Sequence, residues 1–173
     1  MHKGIALITG LVILGLVNWS IVEKEQHLKH GEVIFLELAP VDPRSLMQGD
    51  YMALRFEVGN RVREALSSRD QEDSNATQGY AIVRLDEQKV AHFVRLGEKD
   101  ETLAPNERRL YFRQRDGRVQ FATNAYFFEE GQAERYEPAR YGRFRVNEQG
   151  EPLLVGMHDA ELERLDPALP PVF

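Results

Sequence analysis

The chain is 173 residues long, 42% hydrophobic and 29% charged, with 13 glycines and 8 prolines. That composition excludes collagen-like, wholly disordered and coiled-coil architectures. The absence of cysteine excludes disulfide frameworks, thiolate metal sites and thiol nucleophiles. A mean hydropathy of -0.46 averages two unlike parts, an apolar N-terminal run and a polar body.

The run from Gly4 to Val22, GIALITGLVILGLVNWSIV, has no charge in 19 residues. As a helix it would reach roughly 28 Å, close to the hydrocarbon thickness of a bilayer. Trp19 near its far end suits the headgroup interface. Residues 1–22 are therefore expected to form an uncleaved signal-anchor. A cleaved secretory signal is one alternative. Against it, the n-region His2-Lys3 is short, and bulky Ile21 and Val22 follow Asn18-Trp19-Ser20 in place of a small-x-small site. A core helix is the other, but a domain this small would struggle to bury such a run on all sides. The positive-inside balance is nearly even, with Lys3 on one side and Lys24 and Lys29, mixed with Glu23 and Glu25, on the other. A short tail before a single span usually stays in the cytoplasm. The expected location is the inner (cytoplasmic) membrane, single-pass, with the C-terminal domain facing the periplasm or exterior.

Beyond the run, residues 23–30 read as a juxtamembrane spacer continuing the helix. Glu32–Ala39 alternates as a strand with Ile34, Leu36 and Leu38 on one face. Tyr51–Phe56 reads as another, with Met52, Leu54 and Phe56 sharing a side. A short helix over 60–68 follows, supported by a Glu57/Arg61 pair at i,i+4, and then a polar loop over 69–79. Residues 80–85 and 89–96 form an expected hairpin. A second joins 109–115 to 118–123 through Asp116-Gly117, the pair that a tight type I′ turn requires. Its register sets Phe112 against Phe121 and Gln114 against Val119. The opposite side carries Arg109, Tyr111, Arg113, Arg115 and Arg118. A short helix over 129–137, stopped by Pro138, precedes a last hairpin, 142–146 with 152–156. The tail 166–173 holds three prolines. The fold class expected is α+β, mainly β: one transmembrane helix, then a single domain over 31–165 rich in antiparallel sheet, with two short helices and seven or eight strands.

Residues 42–56 read DPRSLMQGDYMALRF. The block Gly49-Asp50-Tyr51, with Leu54 and an aromatic at Phe56, resembles the signature of the GDYXXLXY family of membrane-anchored bacterial proteins, which has no assigned activity. Phe56 stands where that pattern has tyrosine. The flanking Pro40-Val41-Asp42-Pro43-Arg44-Ser45 fits the pattern, as does Asn124-Ala125-Tyr126-Phe127-Phe128-Glu129-Glu130-Gly131, running on to Arg140-Tyr141-Gly142. The resemblance implies a one-span anchor and an extracytoplasmic domain associated with a polytopic membrane protein, and it implies no chemistry. Candidate partner-binding residues within it are Arg44, Gly49, Asp50, Tyr51, Leu54, Phe56, Asn124, Tyr126, Glu130, Tyr136 and Arg140. The structural alternative has Asp50 capping a turn or pairing with Arg44, while Met52, Leu54 and Phe56 drive a strand into the core.

A weaker similarity links Ser45-Leu46-Met47-Gln48-Gly49-Asp50 to signal-peptidase-like serine proteases. The position of their nucleophile is occupied here by Val41, which cannot attack a carbonyl. Ser45 would have to act with Lys89 or Lys99, giving an envelope hydrolase as the alternative function. No metal or cofactor is expected. His2, His27 and His30 belong to the span and its spacer, His92 reads as a core or edge residue, and His158-Asp159 with Glu161 reads as a loop. Glu129-Glu130 offers a carboxylate pair, although acids at a helix start are already explained by the macrodipole.

Without residues 1–22 the body has 21 basic and 28 acidic residues, a net of -7, which argues against nucleic acid as a partner. The arginines at 109, 113, 115 and 118 form a candidate basic surface for anionic lipid, the alternative being pairing with the domain's own acids. The function expected is a membrane-anchored interaction domain whose partners are the bilayer, through residues 4–22, and a polytopic membrane protein.

Overall fold

The structure, a computed structural model, describes residues 2–39, 51–68, 78–115 and 117–167, with side chains from Thr9 onward. It begins with a long helix, α1 (His2–His30). Then follow β1 (Glu32–Glu37), β2 (Tyr51–Ala53), α2 (Glu57–Ser68), β3 (Gln78–Leu85), β4 (Ala91–Gly97), β5 (Glu107–Arg115) and β6 (Arg118–Gln120). The chain ends with β7 (Ala125–Phe127), α3 (Ala133–Tyr136), β8 (Tyr141–Val146) and β9 (Pro152–His158). The class is α+β and mainly β, with antiparallel pairing in all three sheets.

The transmembrane helix is the point of difference from the expected fold. Among the described residues no helix is long and apolar enough to cross a membrane. Glu23, Lys24 and Glu25 end the apolar stretch. Within it, the successive side chains Leu11, Val12, Ile13 and Leu14 point to all sides of the helix, and each is more than half exposed. Residues 23–30, expected as a spacer continuing the helix, form the last two turns of α1, and they are fastened to the body. His27 is buried with its Nε2 3.0 Å from the Arg145 carbonyl oxygen, and Arg145 Nη1 donates to the Gly31 carbonyl at 2.8 Å.

Three sheets share one core. β1 pairs with β8 and β8 with β9; β4, β3, β5 and β6 form a four-stranded sheet; β2 pairs with β7. The alternation read from the sequence is met: Ile34, Leu36 and Leu38 are buried, as are Met52, Leu54 and Phe56. They meet Val83 of β3, Leu110 and Phe112 of β5, Phe144 of β8 and Met157 of β9 in a single cluster. Amphipathic α2 lays Val58, Val62 and Leu66 onto it. The exposed face of α2 carries Arg61, held by Glu57 at 3.2 Å and Glu64 at 3.3 Å. Phe35 N–H donates to the Lys89 carbonyl at 2.9 Å and ties β1 to the start of β4.

The hairpins follow from local signals. Gln114 faces Val119, as the Asp-Gly turn predicts, and Gly117 has the positive φ of +69° that such a turn needs. Asp116 itself, the loop residues 69–77 and the tail from 168 lie outside the described residues. The fold has nine strands among the described residues rather than seven or eight, because three-residue β7 is too short to show a period. The helix expected over 129–137 contracts to α3.

Candidate functional site

The pairing of β2 with β7 brings the two aromatic segments of the sequence together. Tyr51 lies opposite Phe127, Met52 opposite Tyr126 and Ala53 opposite Ala125. Leu54 N–H continues the seam by donating to the Asn124 carbonyl at 2.8 Å. Ring centroids are 5.7 Å apart for Tyr51 and Phe127, 5.4 Å for Tyr126 and Tyr136, and 5.0 Å for the stacked Phe128 and Tyr136. On the inner side, Phe56 packs edge-on to Phe144 at 5.3 Å. On the rim, Phe127 is 74% exposed, against 4% for Tyr136.

Asp166 locks this seam to β9. Its carboxylate accepts hydrogen bonds from the Tyr126 hydroxyl, from the Tyr136 hydroxyl at 3.4 Å and from Met157 N–H at 2.8 Å. Burial, with the Asp166 carboxylate behind it, raises the pKa of both phenols, that of Tyr126 the further, so both donate their protons rather than act as bases. This geometry braces structure and offers no acid–base pair.

The model of the GDYXXLXY protein family matches residues 13–157. The chain belongs to the GDYXXLXY family. No curated protein and no solved structure matches it.

Within the GDYXXLXY signature, Tyr51 and Leu54 sit on the seam, Phe56 bridges Leu38 beyond it, and Leu54 and Phe56 are buried. Both serve the core rather than a partner-facing surface. Phe56 in place of tyrosine suits its surroundings, since an apolar ring meeting Phe144 needs no hydroxyl. Arg44, Gly49 and Asp50 lie outside the described residues, as does Ser45. Of the second aromatic segment, Asn124 contributes its backbone carbonyl, Tyr126 and Tyr136 their hydroxyls, and Glu130 is an exposed turn residue. Arg140 sits beside β8, where its carbonyl accepts from Leu38 N–H at 2.8 Å and its N–H donates to the His158 carbonyl at 2.8 Å. Glu129-Glu130 precede α3 in an exposed turn rather than opening a helix, and Lys89 and Lys99 are exposed on separate loops.

Of two histidines, His92 lies on an edge strand, as expected, and His158 is not in a loop. His92 is an exposed strand residue whose Nε2 lies 3.0 Å from Asp86 Oδ2, because the β3–β4 turn folds that carboxylate over it. His158 is the buried last residue of β9, edge-on to Phe35 at 5.1 Å, with its Nδ1 unpaired. Burial and nearby Arg143 lower its pKa. Among the described residues no three His, Asp or Glu side chains are grouped to hold a metal ion.

The foot of α1 is flanked by two clefts, of about 650 Å³ and about 310 Å³, that share Lys24, His27 and Glu151. In the larger, Arg108 is held by Glu32, and Arg109 donates to the Glu101 carbonyl at 2.9 Å. The smaller is walled by Arg113 and Arg115 of the basic hairpin face. His27, Asp166 and this juxtaposition escape sequence reasoning. Each depends on a contact between distant segments, and only the row of arginines signals the last.

Proposed function

We propose that this chain is a membrane-anchored interaction domain. Residues 4–22 lie in a bilayer, the body stands on the periplasmic or exterior side of the inner membrane, and its partner is a multi-span membrane protein. The observation that carries the reading is the apolar exposure of α1: from Leu11 to Val22 every large apolar side chain is at least 50% exposed, with Trp19 at 76%. A contiguous surface of that kind is unfavourable in water and favourable in lipid. The uncharged run continues in sequence back to Gly4, which restores the length a span requires. Because the last turn of α1 is hydrogen-bonded to β8, the body rides on the helix at a fixed angle. The anchor then confines body and partner to one plane and raises their effective concentration. The face offered to the partner is the rim of the aromatic seam, where Phe127 is exposed.

Three measurements on the full chain in its native membrane test this. The chain should remain in the membrane after alkaline extraction, and a C-terminal reporter should be active only outside the cytoplasm. A photo-crosslinking residue at Phe127 should capture a multi-span membrane protein that one at exposed Asp100 does not. Release by alkali or a cytoplasmic reporter signal removes the anchor reading. Identical crosslinks from 127 and 100 remove the seam as the partner face.

A further inference from the structure

The smaller cleft at the foot of α1 holds an unusual charge arrangement for an acidic body. Among the described residues Lys24, Arg113 and Arg115 on its wall, and Arg118 beside it, take part in no ion pair, like most of the body's arginines; Arg61, Arg95, Arg108 and Arg164 each have one. Arg113 only rests over the Tyr111 ring, 5.7 Å from its centroid. Arg115 lies directly across from Arg118 in the hairpin register, a like-charge neighbour pair that costs stability unless an anion sits between them. Lys24 is one turn before buried His27 on the same face of α1, so it is turned toward the hairpin, and the two share the cleft wall with Arg113 and Arg115. One acid, Glu151, shares that wall, and its Oε2 accepts from Asn147 Nδ2 at 3.0 Å.

We propose that this cleft binds the phosphate of an anionic phospholipid headgroup. The inference rests on the anchor reading above. Position supports it as much as charge does. Lys24 lies two residues past Val22, about 3 Å along the helix axis, and His27 about 7.5 Å past it. The headgroup layer on each side of a bilayer is roughly 5–8 Å deep, so the cleft opens at headgroup depth. Paired guanidinium groups match phosphate oxygens in geometry and charge. The larger cleft across α1 lies at the same depth but has its arginines already engaged, which confines the lipid to one side of the helix and fixes how the body rotates about it.

The test uses the full chain in nanodiscs of phosphatidylcholine with increasing phosphatidylglycerol, reading amide hydrogen exchange of the β5–β6 hairpin. Protection of residues 113–120 should rise with the phosphatidylglycerol fraction and weaken in high salt. The double variant Arg113→Gln/Arg115→Gln, both exposed side chains outside the core, should shift the midpoint about fivefold for each arginine removed. Equal exchange in both lipids, with the chain incorporated, overturns the cleft and leaves the anchor standing. Failure to incorporate into either disc overturns both. Protection produced equally by inorganic phosphate over pure phosphatidylcholine discs overturns the lipid as the source of the anion.

Discussion

His158 and the Arg95 fork set how the body answers acid. His158 is buried among Phe35, Arg143, Arg164, Asp159 and Asp166. Burial, aided by the two arginines, keeps its imidazole neutral below the ordinary 6.5. The unfolded chain takes up that proton first as pH falls, so the stability tied to neutral His158 is complete above about 6.5 and is lost below it. Arg95 holds Glu101 at 3.0 Å and Glu107 at 2.9 Å. Hydrogen bonds from its guanidinium depress both carboxyls below 4.5, so their contribution is complete above that value and lost as pH falls through the depressed values. A Tm profile should therefore decline in two stages, the first starting near pH 6.5 and the second near 4.5. His158→Leu removes an unpaired buried nitrogen, so it should hold its Tm at pH 7 and abolish the first stage while keeping the second. A variant that still declines between pH 6.5 and 5 refutes the assignment. Neither His158 nor Asp166 was legible as a buried polar group. The sequence shows each beside loop-forming residues, and their roles come from Phe35 and Tyr126, far away along the chain.

Elements built from neighbouring residues were legible, and elements built across the chain were not. The β3–β4, β5–β6 and β8–β9 hairpins follow from alternation and turn residues, because closing a short loop costs little entropy. The faces of β1 and β2 also follow from their period. Their partners do not: Ile34 pairs with Phe144, and Met52 with Tyr126, choices that only the assembled core makes. One turn links the two larger sheets in addition to the Phe35–Lys89 hydrogen bond. Gly150, between β8 and β9, has φ +81°, and its carbonyl accepts from Tyr111 N–H of β5 at 2.7 Å. A Cβ there would lie 2.9 Å from the Arg109 carbonyl oxygen. Gly150→Ala combines a strained backbone with a contact to main chain that cannot give, and should cost about 1–3 kcal/mol. Urea unfolding measures it, and a cost within error of zero would mean that the turn does not hold the sheets together.

For the molecule as a whole, the decisive boundary is where anchor ends and body begins. Sequence pattern places the body's start at Gly31, after a charged spacer, whereas packing places it at Glu23, before the docked turns that end at His30. The two views predict different behaviour on truncation. A body starting at Glu23 keeps His27 against the Arg145 carbonyl, although a short free helix frays at its new end. A body starting at Gly31 loses a side chain that is only 7% exposed and strips the Arg145 carbonyl of its partner. Losing that buried side chain's packing and its hydrogen bond costs about 1–3 kcal/mol, so the shorter body should unfold at measurably lower urea than the longer one. His27→Ala in the longer body should reproduce most of that loss. Equal urea midpoints for the two bodies would show that α1 is merely appended. A lower midpoint for the shorter one makes the last turns of α1 part of the fold, which is what allows an anchor to orient a domain rather than only hold it near a surface.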